Sequence, residues 1–287
     1  MITNILAYID GRSSAENAAT AAFLLATRHN AHVEGLFVRT NVSDVIPNAP
    51  IYAIDGALPL VEQYVKSSDR ETAQTEQRAK EAFAQTRDQF AFVEGDATSS
   101  TVHSTANWTV VTGSPENTVS HRARISDLCV IGRSSNLKKN STTSVINEVL
   151  LNSGRPVLVV PPEPITSVGG DIVVAWNCSA DSARALNTAM PLFEKADRLR
   201  LVYVDTGVKK GPSAEEAATY LARHGFKSEV EIITPYDRSV GAALVRYAQD
   251  ADLLVLGAYS LSYVCGAVLG RVTRHVRAHA QTPVLIV

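Results

Sequence analysis

The sequence predicts an α/β protein built from two tandem units, each a mostly parallel sheet with helices on both faces. Three observations predict this. Short β-branched runs alternate with helical patterns, as in chains of βα units. Runs such as Asp252-Leu-Leu-Val-Leu256 are continuously apolar, as strands covered on both faces are. Finally, the chain repeats itself. Ile5-Leu-Ala-Tyr-Ile-Asp10 recurs as Ile172-Val-Val-Ala-Trp-Asn177, Ser126-Asp-Leu-Cys-Val-Ile-Gly132 as Ala251-Asp-Leu-Leu-Val-Leu-Gly257, and Arg155-Pro-Val-Leu-Val-Val160 as Thr282-Pro-Val-Leu-Ile-Val287. Three landmarks in the same order mark a tandem duplication.

The elements of the first half follow in order. A strand over Ile5–Asp10 leads into a helix with capping-box spacing at Ser13-Ser-Ala-Glu16. A second strand is expected at about 32–38 and a third at about 107–112. Asp10 to Gly132 spans 122 residues whereas Asn177 to Gly257 spans 80, so the surplus lies between those two strands. It reads as an irregular loop over 41–59, with Pro47, Pro50 and Pro59, followed by a long charged helix over 60–90. That helix reads as a solvated lid over one domain or, more sharply, as a partner-binding surface. Ser114-Pro115 supplies an N-cap and a proline at the first helical position.

In the second half, strands are expected near 171–176, 199–204, 229–233, 252–257 and 283–287, with a capping box at Ser213-Ala-Glu-Glu216. The Pro- and Gly-rich stretch Pro161–Gly170 is the join. The expected domains are 1–162, carrying an insertion at about 41–100, and 171–287, with 163–170 as linker.

Composition agrees with two domains. The 287 residues suit about 150 per domain. Lys plus Arg is 27 against 29 for Asp plus Glu, a net charge of −2, which argues against a general nucleic-acid binder. Apolar residues make up 45%, enough for ordinary cores. No apolar run approaches the roughly 18 residues that span a bilayer. Residues 1–10 read neither as a basic leader nor as a cleavable apolar stretch, so a soluble, cytoplasmic protein is expected, without membrane or nucleic-acid partners. Cys129, Cys178 and Cys265 form no disulfide framework and no metal motif. Cys129, within Leu128-Cys-Val-Ile131, reads as buried, and Cys178 and Cys265 as loop thiols open to solvent.

Ligands of open parallel sheets bind where the strands end, at the switch in strand order. The loops to inspect follow the first and fourth strands. After the fourth strand of the second half comes Gly257-Ala-Tyr-Ser260, then nine residues, then Gly270-Arg271-Val272-Thr273. Glycines there let backbone N–H groups approach an anion, and a helix N-terminus adds its dipole, although glycines that close a strand or cap a helix are common.

With these residues the sequence resembles the universal stress protein family, in its tandem form with two family domains in one chain. The resemblance covers both halves and leaves out mainly the 41–100 insertion. It implies Rossmann-like domains of the adenine nucleotide alpha hydrolase type, each a five-stranded parallel sheet with helices on both faces. Nucleotide-binding members carry Gly-x2-Gly-x9-Gly-Ser/Thr after the fourth strand and an aspartate at the end of the first. In the second half, Gly257 and Gly270 match the first and third glycines, Ser260 stands at the second, and Arg271 replaces the hydroxyl. Asn177 replaces the aspartate; its amide can still accept a hydrogen bond but brings no charge. The expected ligand-binding residues are Asn177, the Val204 backbone, Gly257, Ser260, Gly270, Arg271 and Val272, holding ATP or another adenine nucleotide weakly, with Mg²⁺ only if ATP is bound.

The first half divides these features the other way. Asp10 is kept, but Arg133-Ser-Ser135 follows Gly132, and Ser144-Val145 stand at the later Gly-Ser/Thr position. Tight nucleotide binding is not expected there, although Ser134, Ser135 and the run Ser141–Ser144 could hold a small anion.

No catalytic set stands out. There is no GxxxxGK[ST], GxSxG or HExxH motif. His121, His224, His275 and His279 fall on expected helices. Arg271, Arg274 and Arg277, at three-residue spacing, read as a solvated face or an anion-facing edge. By analogy with single-domain members, the strands 156–160 and 283–287 are expected to pair the halves as an internal pseudo-dimer, and two chains to form a homodimer. The expected role is a stress-response regulatory or protective factor. A nucleotide-free interaction module that recruits an unknown protein partner is the alternative, and a slow ATPase a third reading.

Overall fold

The computed structural model describes residues 1–12, 14–40, 58–96, 104–134, 141–207, 211–235, 239–258, 260–261 and 268–287. Ser13, residues 41–57, Ser135, Tyr259 and Cys265 lie outside them, and with them one residue of the expected first capping box, most of the expected loop and one expected open thiol.

The first half contains β1 (Asn4–Tyr8), α1 (Ala15–His29), β2 (His32–Arg39), α2 (Leu58–Gln89), β3 (Val93–Glu94), β4 (Thr105–Thr112), α3 (Pro115–Ala123), β5 (Leu128–Gly132), α4 (Ser141–Asn152) and β6 (Val157–Val160). The second contains β7 (Asp171–Trp176), α5 (Ala180–Phe193), β8 (Arg198–Val204), α6 (Ala214–Arg223), β9 (Glu229–Ile233), α7 (Val240–Tyr247), β10 (Leu253–Leu256), β11 (Ser260–Leu261), β12 (Val268–Leu269), α8 (Arg271–His279) and β13 (Val284–Ile286).

Eleven strands form one sheet in the order β3-β4-β2-β1-β5-β6-β13-β10-β7-β8-β9. Numbered within its own half, each unit reads 3-2-1-4-5, the doubly wound order. The first half departs from five strands by the two-residue β3, parallel to β4 at its edge. Pairing is parallel throughout except at the centre, where β6 and β13 run antiparallel with Val159 opposite Val284 and Val157 opposite Ile286. The halves join along this seam. The ribbon β11–β12 stands apart and was not expected from the sequence.

Strand alternation sends successive side chains to opposite faces. Ile5, Ala7 and Ile9 join one apolar layer with residues of α1, α2, α5 and α6. Leu6, Tyr8, Cys129 and Ile131 join the other, under α3, α4, α7 and α8. Cys129 is buried as expected, and burial pushes its thiol pKa up.

Helix ends follow local chemistry. The α6 capping box is complete: the Glu216 N–H donates to Ser213 Oγ at 3.3 Å and the Ser213 N–H to Glu216 Oε2 at 2.8 Å. At α1 the N-cap is Ser14, whose side chain makes no capping bond. Pro59 falls in the first turn of α2, so the helix starts two residues before the expected boundary, in a position that tolerates the ring. The second half of α2 is docked rather than loose. Phe83 is buried against Phe23 (5.2 Å between ring centroids) and Trp108 (5.4 Å). Gly35 in β2 makes room, since a Cβ there would stand 2.7 Å from the Phe83 ring. The join is held from α1, where Asn17 Nδ2 donates to the carbonyls of Pro161, Pro162 and Glu163 at 2.8–3.1 Å.

Candidate functional site

In the second half, β7 is flanked by β8 on one side and β10 on the other, so the order reverses at its C-terminal end. A cleft of about 450 Å³ opens there. Its apolar wall includes Ala175, Val204, Val240, Leu244 and Leu256, and its rim includes Asn177, Asp181, Gly257, Gly270, Arg271 and Thr273. That mixture of apolar wall and few polar groups is typical of small-molecule sites.

Six of the seven residues expected from the sequence line this cleft: Asn177, Val204, Gly257, Gly270, Arg271 and Val272. Ser260 lies in β11, paired with Leu269, which brings its backbone next to Gly270. The same cleft includes Asp181, Ser182, Tyr203 and Thr206, which motif reading missed. Position in the repeat could have found Asp181, because it equals Ser14 of the first half, in the helix turn that meets the glycine closing the fourth strand.

Gly257 closes β10 against that turn. A Cβ at Gly257 would lie 2.6 Å from Asp181 backbone atoms, and one at Gly132 would lie 2.5 Å from the Ser14 carbonyl oxygen. Both halves therefore need glycine here for packing, whatever they bind. Gly270 is the N-cap of α8 and has no side chain with which to cap it. The N–H groups of Arg271 and Val272, in the first turn, are among those that an α-helix leaves without intrahelical acceptors. Thr273 fastens this turn to the fourth-strand loop, its hydroxyl donating to the Gly257 carbonyl at 3.3 Å. Arg271 is exposed.

Asn177 behaves differently from its expected role as an acceptor. Its Oδ1 already takes hydrogen bonds from the Ser179 N–H (3.2 Å) and hydroxyl (2.6 Å). The Ser179 N–H can only donate, so it fixes the amide orientation. The group of this cleft-lining amide that is left over is Nδ2, a donor. Cys178 follows with φ at 63° and is 8% exposed, against the expected open thiol. Gly211 packs on its backbone, and Trp176 Nε1 donates to the Pro212 carbonyl at 3.0 Å, which closes the loop before α6 over it.

The first half presents another surface at the equivalent place. Measured from the prolines that open β6 and β13, Thr143 corresponds to Gly270 and Ser144 to Arg271, one residue before the Ser144-Val145 pair expected at that place. Burial agrees: Ile146 and Val149 are buried in α4 as Thr273 and Val276 are in α8. Ser144 Oγ donates to Glu116 Oε1 at 2.7 Å and Ser114 Oγ to Glu116 Oε2 at 2.9 Å. Burial raises the Glu116 pKa, but the hydrogen bonds outweigh it and hold the carboxyl below its ordinary value. A fixed carboxylate therefore stands beside the first turn of α4, where Gly241 takes its place in the second half.

Asp10, at the end of β1, has 9% of its side chain exposed, with its Oδ2 covered and lacking a hydrogen bond and Arg12 Nε at 3.8 Å. Burial raises its pKa above the ordinary carboxylate value. Directly beside it α2 crosses Gly11, where a Cβ would stand 2.3 Å from the Thr75 carbonyl oxygen, and Glu76 pairs with Arg39 at 2.5 Å. Among the described residues no group of three metal-ligating side chains occurs, and no helix is long and apolar enough to cross a membrane.

Residues 170–287 match the model of the Universal stress protein family. No curated protein matches the chain in sequence. The fold matches a universal stress protein from Archaeoglobus fulgidus at a TM-score of 0.67 and 15% identity, covering 99% of this chain and 97% of that one. It also matches a functionally unknown protein from Pseudomonas aeruginosa at a TM-score of 0.56 and 15% identity, covering 100% of this chain and 92% of that one. A universal stress protein in complex with cAMP aligns with 56% of this chain and 98% of its own length at 21% identity and a TM-score of 0.32; the ligand is that protein's. Residues 170–287 thus belong to the Universal stress protein family, and the chain as a whole shares the two-unit fold of the structures it matches from end to end.

Proposed function

We propose that the cleft of the second half binds an adenine nucleotide, and that the protein serves as a stress-response regulatory or protective factor through that ligand. The domains are taken as 1–162 and 171–287, joined by 163–170, in keeping with β6 ending at Val160 and β7 starting at Asp171. The observation that carries the reading is the meeting of an apolar wall and a helix N-terminus in one cleft at the switch point.

The residues fit such a ligand in kind. Ala175, Val204 and Leu256 suit a flat purine, and the Val204 backbone at the strand end offers it polar groups. The N–H groups of Arg271 and Val272 and the Arg271 guanidinium suit a phosphate. Asn177 contributes a donor in place of a carboxylate, which favours weak binding. Mg²⁺ would be needed only if ATP were the ligand, where it would offset phosphate charge, and no group in the cleft is assigned to orient an attacking water.

Nucleotide released on denaturing the purified protein tests the proposal, followed by titration of the stripped chain. Adenine nucleotide in stoichiometric amount is expected, and a Gly270→Glu variant should come out empty, because a carboxylate would occupy the helix start. Absence of binding at millimolar ATP, ADP and AMP would overturn it and leave the interaction module, carried by the exposed face of α2, as the better account. Time-dependent ADP production would favour the slow ATPase.

A further inference from the structure

A second site lies on the seam, away from the cleft and independent of what the cleft binds. Arg133 follows β5 in the first half, and Arg277 is on α8 in the second. Both line a cavity of about 40 Å³ together with Ser134, Thr142, Thr143, Ile146 and Ala278. One water needs on the order of 10–15 Å³ by the same measure, so there is room for a small polyatomic ion and none for a nucleoside.

We propose that this cavity binds a tetrahedral oxyanion, inorganic phosphate being the probe of choice. Two arginines from different halves line it, and a guanidinium presents donors in the geometry of an oxyanion's edge. Both are partly buried. Arg133 has 15% of its side chain exposed, and burial lowers its pKa, against the attraction of Glu163, whose Oε2 is 3.8 Å away. Burial also lowers the pKa of Arg277, with Arg274 adding like-charge repulsion. The contacts they make leave positive charge over. Arg133 donates to the carbonyls of Ala278 and Ala280 (the latter at 2.7 Å), and Arg277 to the neutral Asn147 Oδ1 at 2.6 Å. The first turn of α4 supplies the cavity's Thr142 and Thr143, with the helix dipole behind them.

Repeat symmetry does not produce this arrangement. The position equivalent to Arg133 is Ala258, and that equivalent to Arg277 is Leu150. The two cations therefore occur at one side of the pseudo-twofold seam only, and each half contributes one. An anion there would bridge α4 and α8.

Calorimetric titration of the full chain with inorganic phosphate, at constant ionic strength, tests the proposal. Saturable binding at millimolar phosphate or tighter is expected. Arg277→Gln should weaken it about tenfold or more, and so should Thr142→Val, which keeps the side-chain shape and removes the hydroxyl. Gly270→Glu, in the nucleotide cleft, should leave it unchanged. Phosphate binding that survives Arg277→Gln and Thr142→Val but is lost in Gly270→Glu would place the ion in the cleft and overturn the proposal. Absence of saturable phosphate binding in the wild-type chain would overturn it as well. Should Arg277→Gln fail to fold, Thr142→Val decides.

Discussion

The strand ends of the two halves start from the same frame and finish as different surfaces. In the second, the end of β7 is an asparagine turned into its own loop, His275 of α8 packs on Gly241, and a cleft remains open. In the first, the end of β1 is a largely covered carboxylate with α2 laid across Gly11, and Glu116 fills the place of Gly241. The difference teaches that duplication preserves what packs and frees what binds. Gly132 and Gly257 are both kept because a helix turn presses on each, whereas the groups that would meet a ligand have diverged.

The contrast extends below the surface. Glu34 in β2 and Arg200 in β8 occupy the same register position, opposite Leu6 and Val173, and both are buried. Each half has solved this buried charge separately. Glu34 pairs with Arg122 at 2.7 Å, while Arg200 binds Asp171 through two nitrogens at 3.0 and 2.8 Å and lies over the Tyr247 ring at 5.2 Å. Tyr247 stands at the position equivalent to Arg122.

These pairings give the largest expected effect on stability. Arg200→Ala should cost about 2–4 kcal/mol in chemical denaturation, because it leaves the partly buried Asp171 without its partner and opens a gap over Tyr247. Glu34→Ala should cost only about 1 kcal/mol, since Arg122, 39% exposed, can turn to water. Equal losses would show that the halves treat the position alike.

Next come the two glycines. Gly132→Ala and Gly257→Ala should each lower stability by about 1–3 kcal/mol through overpacking. If Gly257→Ala melted like the wild type and lost only ligand binding, the packing account of that glycine would fail.

Asp127 offers a pH-dependent comparison. It accepts from the Thr3 N–H (2.8 Å), the Thr3 hydroxyl (2.9 Å) and the Asn4 N–H (3.0 Å). Burial raises its pKa, and these bonds outweigh that and hold it below the ordinary value. Its contribution is therefore present above the unfolded carboxylate pKa and lost as pH falls through the lowered folded value. Asp127→Asn should cost about 1 kcal/mol at neutral pH, with the difference shrinking in acid.

The smallest effect has the opposite sign. Asp10 has a raised folded pKa, so the folded state holds its proton more tightly and loses stability as pH rises from the unfolded value through the folded one. Asp10→Asn copies Asn177 and should raise stability at neutral pH by under about 1 kcal/mol in chemical denaturation, with no gain in acid. A loss at neutral pH would mean that the Arg12 pairing outweighs burial.

Most of the frame was legible in the sequence because repetition and periodicity are written residue by residue. The five strands of the second half, the long helix and the Ser213 capping box stand within a few residues of where the patterns put them. What escaped depends on contacts between distant segments. Cys178 sits in a loop by its neighbours yet is covered by Gly211, and the Asn177 oxygen is engaged by Ser179 through a turn that residue type alone does not announce. The ribbon β11–β12 leaves no mark in two-residue strands. Asp181 was invisible as a motif member and obvious as the partner of Gly257.

The antiparallel seam carries a mechanical meaning. Because β6 and β13 hydrogen-bond across it, with Arg28 gripping Asp197 at 2.6 Å and Arg133 holding the end of α8, the two units are held by contact as well as by covalent continuity. The polypeptide between Val160 and Asp171 acts chiefly as a tether that raises local concentration. A protease cut within it should leave a non-covalent complex whose melting temperature depends on dilution, whereas the intact chain melts independently of it. With both units in one chain, the pairing along the seam does not depend on protein concentration, and each strand end differs from its counterpart without disturbing the seam.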